Sequence, residues 1–199
     1  MALTVHGKIS QPLDPNFSRI YNNIGTVYFE TNSFLKAIEY LDKAHQIEEK
    51  FWRNDLELAN TYYYLGKAYY MNCSYKEALE NIHKELEIKL KHQTRTDPIF
   101  LNTYCYLQKV YYKLGNESAV MTYGEAALKV DVSSNHADFF EVYFLIGLVY
   151  SEQLDYKNAL RSFEKALEIG IANKLPEVDK LRETVEYTKY LLFLTDYTK

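Results

Sequence analysis

One pattern of eight residues occurs four times along the chain. It reads YNNIGTVY at 21–28, YYYLGKAY at 62–69, YCYLQKVY at 104–111 and YFLIGLVY at 143–150, so successive copies begin 41, 42 and 39 residues apart. Each copy has tyrosine at its first and last positions and an aliphatic residue at its fourth. A unit that recurs at such a period predicts an array in which each unit buries its apolar face against its neighbours.

A second pattern follows each octet, and both halves of every unit have the periodicity of a helix. The second pattern reads FLKAIEYLDKA at 34–44, YKEALENIHKE at 75–85, NESAVMTYGEA at 116–126 and YKNALRSFEKA at 156–166. Apolar residues recur at i, i+3, i+4 and i+7, and no strand-like alternation persists. We therefore expect an all-α chain, with helices near 16–31, 34–50, 56–72, 75–93, 98–114, 116–130, 138–153, 156–173 and 176–195.

Small residues mark where the two helices of a unit should cross. A glycine inside a helix costs about 1 kcal/mol relative to alanine, so a glycine that recurs in register predicts close helix contact. The residues concerned are Gly25, Gly66 and Gly147, with Ala37, Ala78, Ala119 and Ala159 opposite them. In the third unit Gln108 replaces the glycine and the turn is one residue shorter, which predicts a locally splayed hairpin.

The frame of tyrosine, aliphatic residue, glycine and tyrosine, followed by YKNALRSFEKA and its relatives, resembles the tetratricopeptide repeat. The resemblance covers about residues 16–170, and the period of 39–42 exceeds the usual length of about 34. Longer units are similar to those of kinesin light chains, the spindle-orientation Leu-Gly-Asn proteins and Gram-positive peptide-pheromone receptors. The resemblance implies an all-α, right-handed superhelical α-solenoid of four helical hairpins plus a C-terminal capping helix. It also implies a concave groove, lined by the first helix of each hairpin, that binds peptides or partner helices.

The same frame divides the chain into three parts. We expect a flexible leader over 1–15, four repeats over 16–175 and a C-terminal capping helix over 176–199. In the first three repeats an aspartate lies seven residues before the leading tyrosine, and aspartate is a residue type that caps helix N-termini. The repeats extend over about 16–54, 55–96, 97–135 and 136–175.

Composition and charge argue against several classes of function. The net charge is −4 and the pI is near 5.8, so no positive field predicts nucleic acid binding. No apolar run approaches the ~20 residues that a membrane span needs. The two cysteines, Cys73 and Cys105, have neither metal-ligand nor CxxC spacing, which favours a reducing, cytoplasmic location.

Nothing in the sequence indicates catalysis. The common phosphate-binding, dinucleotide-binding, zinc-protease and nucleophile-elbow motifs are absent, and the five histidines lack paired ligand spacing. Carboxylates in the second helices of the first two repeats are mixed with lysines, as on a solvated helix face. Cys105 has no fixed basic neighbour, which favours a packed thiol over a nucleophile. We expect no enzyme, no catalytic residue, no metal site and no cofactor.

The groove should be lined by the face of each first helix that is opposite its packing side. The second and third repeats carry asparagine, tyrosine, lysine and tyrosine there in register. Amides can bind a peptide backbone, lysine can bind a carboxylate and tyrosine adds contact area, which suits an acidic or carboxylate-ended segment. Duplication or packing between repeats would also explain the match. The candidate peptide-binding residues are Asn22, Asn23, Asn60, Tyr63, Tyr64, Lys67, Tyr70, Asn102, Tyr106, Lys109, Tyr112, Lys113, Phe144 and Leu148.

The fourth repeat should present an apolar surface instead, with Phe144, Leu145 and Leu148 exposed. The family resemblance also raises the carboxylate clamp of heat-shock co-chaperones, which requires lysine, asparagine and arginine at fixed positions. Counted from the first repeat, those positions hold Asn22, Thr26, Tyr64, Asn102 and Tyr106, and counted from the second they hold Tyr63, Lys67, Tyr106, Glu141 and Leu145. Neither set matches, so the clamp is not predicted.

Three functions fit these patterns. The leading expectation is a protein–protein interaction scaffold, with a protein or peptide partner and neither nucleic acid nor membrane. The second is the peptide-sensing domain of a signalling or transcription regulator of the quorum-sensing type. The third is an assembly subunit, because four consecutive apolar residues cannot all be covered by one neighbouring helix. These residues, Leu191, Leu192, Phe193 and Leu194, could instead be buried within the domain.

Overall fold

The computed structural model of the protein describes residues 16–51 and 56–197. This part of the chain is helical, with no strand among the described residues, and the predicted all-α fold is confirmed. Every predicted helix is present and each end lies within three residues of its expected position; the predicted leader lies outside the described residues. The helices are α1 (Asn16–Glu30), α2 (Phe34–Phe51), α3 (Leu56–Met71), α4 (Tyr75–Leu90), α5 (Leu101–Lys113), α6 (Glu117–Leu128), α7 (Phe139–Glu152), α8 (Tyr156–Ala172) and α9 (Val178–Tyr197), with a 3-10 turn at Pro98–Phe100 before α5.

The four hairpin turns share one length and one backbone geometry. The N–H of the third turn residue bonds to the carbonyl of the octet's last tyrosine at 2.8 to 3.0 Å, as in a Schellman helix ending. The middle residue has a positive φ in each turn: 57° at Asn32, 61° at Cys73, 71° at Gly115 and 60° at Leu154. The third turn therefore has three residues like the others, and the prediction that it is shorter is wrong.

This equal turn length moves the register of the third hairpin by one residue. Val120 is fully buried, and its N–H bonds to the carbonyl of Asn116 as that of Ala78 bonds to Ser74. Val120 thus occupies the position that alanine holds in the other hairpins, while Ala119 is only half-buried. The prediction that Ala119 lies opposite the helix crossing is therefore wrong by one residue.

Each hairpin crossing pairs a small residue with a large one. A Cβ added to Gly66 would lie 2.4 Å from Cγ1 of Ile82, closer than real Cβ atoms approach, and Gly25 and Gly147 are equally tight. In the third hairpin the two roles are exchanged, because Gly124 faces Gln108 with 2.5 Å between its added Cβ and the glutamine Nε2. Gly124 therefore makes room for the side chain of Gln108 at this crossing.

The apolar core runs along the array between successive hairpins and ends on α9. Leu181 and Val185 of α9 are buried against the cluster around Phe163 of α8, as expected for a capping helix. On the other side of α9, Tyr187 and Tyr190 are exposed. None of the described helices is long and apolar enough to cross a membrane.

Candidate functional site

The predicted binding residues gather around two hollows on the first helices. The first cleft, about 290 Å³, lies between the first and second hairpins and is lined by Ser18, Arg19, Asn22, Asn23, Glu48, Leu56, Glu57 and Asn60. The groove, about 480 Å³, extends across the second to fourth hairpins, and its lining is Tyr63, Lys67, Asn102, Cys105, Tyr106, Lys109, Ala137, Asp138, Phe140, Glu141, Leu175 and Glu177. Three predicted residues thus line the first cleft and five line the groove.

Lys67 lies in the groove inside a ring of aromatic side chains. Its Nζ is 4.6 Å from the ring centre of Phe29, 5.2 Å from those of Tyr63 and Tyr64, and 5.6 Å from that of Tyr106. Cation–π attraction holds the ammonium there. Burial lowers the pKa of Lys67, with Glu30 opposing and Lys109 adding to the shift. Among the described residues no carboxylate lies within 4 Å of this ammonium group.

Lys109 lies in the same groove but is already paired. Its Nζ forms an ion pair with Oε2 of Glu141 and lies 5.0 Å from the ring centre of Tyr106. The two lysines, which the sequence placed in equivalent positions, therefore differ in their availability. Only Lys67 can take a carboxylate from a ligand without first releasing one of its own.

The two tyrosines of the groove, Tyr63 and Tyr106, and the neighbouring Tyr70 pack edge to face. The rings of Tyr63 and Tyr106 are 5.7 Å apart at 88°, and those of Tyr70 and Tyr106 are 6.1 Å apart at 90°. Burial raises the pKa of Tyr70 and of Tyr106 to about 12 and raises the pKa of Tyr63 still further. These half-buried phenols stay neutral and form a firm wall. Tyr63 and Tyr106 thus pack between repeats and also line the groove.

Cys105 lies beneath this wall and is buried. Burial raises the pKa of its thiol to about 12, with Asp138 adding to the shift. A thiol so far from ionisation is a poor nucleophile, in agreement with the packing role that the sequence favoured. The exposed cysteine, Cys73, lies in the second hairpin turn instead.

The remaining predicted residues lie outside both hollows. Tyr112 donates a hydrogen bond of 3.0 Å to Oε1 of Glu152, and Lys113 is exposed. Tyr64 belongs to the ring around Lys67, while Phe144 and Leu148 are half-buried. Leu145, predicted to be exposed beside them, is buried against Val120 and Val149, so this prediction is wrong. The reason is that the preceding helix, α6, covers that side of α7 through Val120.

A buried hydrogen-bond network lies under the first cleft. Oε1 of Glu48 accepts hydrogen bonds from Oγ of Ser18 at 2.5 Å and from Nδ2 of Asn22 at 2.6 Å. Oδ1 of Asn22 in turn accepts one of 3.0 Å from Oγ1 of Thr61. Asn22 is therefore engaged within the protein, whereas Asn23 and Asn60 are exposed at the rim of the cleft.

A related network joins the second and third hairpins. Oε1 of Glu85 accepts a hydrogen bond of 2.8 Å from Thr103 and forms an ion pair with Lys89, whose Nζ also donates to Thr103 and to the carbonyl of Ile99. Glu48 and Glu85 are both fully buried, so the prediction that they lie on solvated helix faces is wrong. A sequence signal did exist, because Thr61 and Thr103 both directly precede the leading tyrosine of their repeat.

Two sequence matches decide the family. The profile described as Tetratricopeptide repeat matches residues 16–91, and a second profile of the same description matches residues 140–169. Together they span more than half of the chain. The chain belongs to the tetratricopeptide-repeat (TPR) family. The part between the two matches contains the third TPR hairpin, the one in which Gln108 and Gly124 exchange roles.

Solved structures share this TPR fold. The crystal structure of MamA protein has a TM-score of 0.69 at 20% identity, covering 92% of this chain and 87% of that one. The TPR-like repeats of a putative kinesin light chain from Podosopora anserina have a TM-score of 0.72 at 16% identity, with 92% and 90% covered. A chain of the APC/C hetero-tetramer Cut9–Hcn1 has a TM-score of 0.67 at 20% identity, with 86% and 30% covered. These likenesses establish the superhelical α-solenoid; no curated protein matches the sequence significantly.

Proposed function

We propose that this TPR protein is a protein–protein interaction scaffold whose groove binds an extended peptide segment that bears a carboxylate. The observation that carries the proposal is Lys67, an ammonium group held by four aromatic rings and facing the groove without a carboxylate partner among the described residues. A cation already oriented and partly desolvated loses little on binding an anion. A chain with a similar fold is part of the APC/C hetero-tetramer Cut9–Hcn1, and this likeness supports a role in protein assembly.

The charged residues that line the groove limit the charge of the peptide that it can bind. Asp138, Glu141 and Glu177 lie on its far side, toward the fourth hairpin and α9. A long acidic run would meet these three carboxylates, and like charges at close range are repelled. The groove therefore favours a segment with one carboxylate, placed at Lys67, over a polyacidic tail. Asn102 at the rim can both donate to and accept from the backbone of such a peptide.

The proposal assigns the chain no catalytic role and no cofactor. The half-buried tyrosine wall supplies rigid contact area, which costs little side-chain entropy on binding. Two cysteines without a disulfide, Cys73 and Cys105, fit the reducing, cytoplasmic location that the proposal includes.

A peptide library displayed with free C-termini tests the proposal. We expect retained peptides to be enriched in a carboxylate that is either terminal or isolated, and we expect binding to be lost in Lys67→Glu plus Lys109→Glu. The matched control is Lys76→Glu plus Lys157→Glu, which makes the same change in charge at two exposed positions outside the groove. Absence of enrichment, or equal binding by the groove variant, would overturn the proposal.

Self-association through α9 is a second candidate function. Tyr187 and Tyr190 are 63% and 57% exposed on the side of α9 that faces away from α8, and Phe193 and Leu194 continue this surface; Leu191 and Leu192 are half-buried. Contiguous exposed aromatic residues mark interaction surfaces. Multi-angle light scattering at high concentration should then detect dimers that Tyr190→Glu dissociates, and a protein that stays monomeric would rule this function out.

A further inference from the structure

Glu48 carries a buried charge that the described part of the chain leaves only half satisfied. Its side chain is fully buried at the end of α2, and Oε1 accepts both hydrogen bonds of the network, from Ser18 and Asn22. Oε2 is buried as well and has no hydrogen-bond partner, a feature that it shares with Oε2 of Glu85, so Glu48 is distinguished by the absence of a cation beside it among the described residues. Burial of a carboxylate without a compensating cation is costly, so its retention calls for a reason.

The second junction shows what such a carboxylate needs. Glu85 is equally buried, and the ammonium group of Lys89 lies against it and also donates to a hydroxyl and to a backbone carbonyl. The three N–H donors of that lysine are therefore all used, and the charge is neutralised from within the chain. No lysine, arginine or histidine nitrogen of the described residues comes within 4 Å of Glu48 in this way.

The space for a missing cation lies beside Glu48. Glu48 lines the first cleft of about 290 Å³, whose rim carries the exposed amides of Asn23 and Asn60 and the carboxylate of Glu57. Arg19, the cation at this rim, points outward and pairs with Glu57 at 3.2 Å. The cleft thus offers a buried negative charge and additional polar groups, and its lining cation, Arg19, pairs with Glu57 and not with Glu48.

We propose that the first cleft binds a primary ammonium group of a partner, a lysine side chain or an N-terminal amine, with Glu48 as the buried counter-ion. An ammonium is chosen over a guanidinium because the second junction pairs a buried glutamate with an ammonium group, that of Lys89, and because the cleft is small. This site is distinct from the groove and does not depend on the function proposed there.

Solution NMR with n-butylammonium chloride at low ionic strength tests the proposal on the whole chain. We expect saturable shifts of the side-chain amides of Asn23 and Asn60, with a Kd on the order of 1 to 10 mM for so small a ligand. Glu48→Gln should weaken binding at least tenfold, whereas Glu39→Gln, an exposed change on the same helix, should leave it within twofold. Absence of saturation, or equal binding by Glu48→Gln, would overturn the proposal.

Two further ligands keep the test decisive even if Glu48→Gln does not fold. n-Butanol has the same chain without the charge, and n-butyltrimethylammonium has the charge without N–H donors. The proposal expects both to bind the unmodified protein at least tenfold more weakly than n-butylammonium. Equal shifts with either ligand would show that the cleft recognises only an apolar chain or only a diffuse charge, and the ammonium site would be rejected.

Discussion

The first and second hairpin junctions bury the same two groups, a glutamate and a threonine, but treat the charge differently. At the second junction Lys89 neutralises Glu85 from within the chain, although Oε2 of Glu85, like Oε2 of Glu48, has no hydrogen-bond partner; the two junctions therefore differ in the cation. At the first junction Glu48 is held by a serine and an asparagine, and one of its oxygens remains without a hydrogen bond beside an open cleft. The difference separates a buried charge that stabilises the array from one that is available to a partner.

The groove shows the same contrast between two positively charged residues. Lys109 pairs with Glu141, whereas Lys67 is surrounded by rings and, among the described residues, by no carboxylate within ion-pair distance. Equivalent positions in successive repeats therefore differ: Lys109 is engaged in an ion pair within the protein, whereas Lys67 is available to a ligand. Substituting one glutamate or one lysine at a time tests which of these charged groups stabilises the protein and which binds a partner.

The largest effect should follow from removing the cation at the second junction. Lys89→Met leaves Glu85 buried without its cation, and we expect the free energy of unfolding to fall by about 3 kcal/mol, the cost typical of breaking a buried pair. Urea unfolding followed by circular dichroism measures it. Lys165→Met, which removes an exposed pair with Glu168, is the control and should cost less than about 1 kcal/mol. Equal losses would show that the second junction is not a stabilising network.

The pH dependence of binding should report the charge of Lys67. Burial lowers the pKa of this lysine, so it loses its proton at a lower pH than an exposed lysine does. Carboxylate binding needs the charged form, so the affinity should be constant at neutral pH and fall above the pKa of Lys67, by up to about tenfold per pH unit. Calorimetric titration between neutral and alkaline pH measures this decline. A decline of the same size and midpoint in Lys67→Met would assign it to another group.

The smallest effect should come from removing the unneutralised charge at the first junction. Glu48→Gln keeps an acceptor for Ser18 and Asn22 and removes a buried charge that has no cation, so the free energy of unfolding should rise by about 1 kcal/mol. The same urea experiment, without added ligand, measures the change. A loss of more than about 1 kcal/mol would mean that the carboxylate is already neutralised within the protein and would remove the contrast between the junctions.

The repeat frame was sufficient to predict the helices and their pairing, because the octets with tyrosine, aliphatic residue and glycine mark the crossing in three of the four hairpins. It failed in the third hairpin, where Gly124 compensates for Gln108. That exchange lies across a helix pair, 16 residues apart in sequence, and comparing octets alone cannot reveal it. Aligning position 124 with Leu41, Ile82 and Phe163, which also lie 16 residues after their octet positions, would have shown it.

The sequence predicted which residue types occur in the candidate site better than it predicted where they lie relative to one another. Lysine, asparagine and tyrosine were assigned to one continuous binding surface. In the structure Asn22 and Asn60 line the first cleft, whereas Lys67 and Asn102 line the groove. Whether each side chain is available to a ligand depends on contacts between repeats, such as that of Lys109 with Glu141, which form only when the repeats stack. Glu48 and Glu85 were missed for the same reason, since mixed glutamate and lysine on a helix normally indicates a solvated face.

The most direct test of this account compares Lys67→Met with Lys109→Met in binding the tightest peptide recovered from the free C-terminus library. Because Lys109 is already paired with Glu141, its loss should change the Kd less than about threefold, whereas loss of Lys67 should raise the Kd at least tenfold, or about 1.4 kcal/mol. Isothermal titration calorimetry on the two variants gives both numbers. A Lys67→Met protein that binds as tightly as the unmodified one would contradict the account.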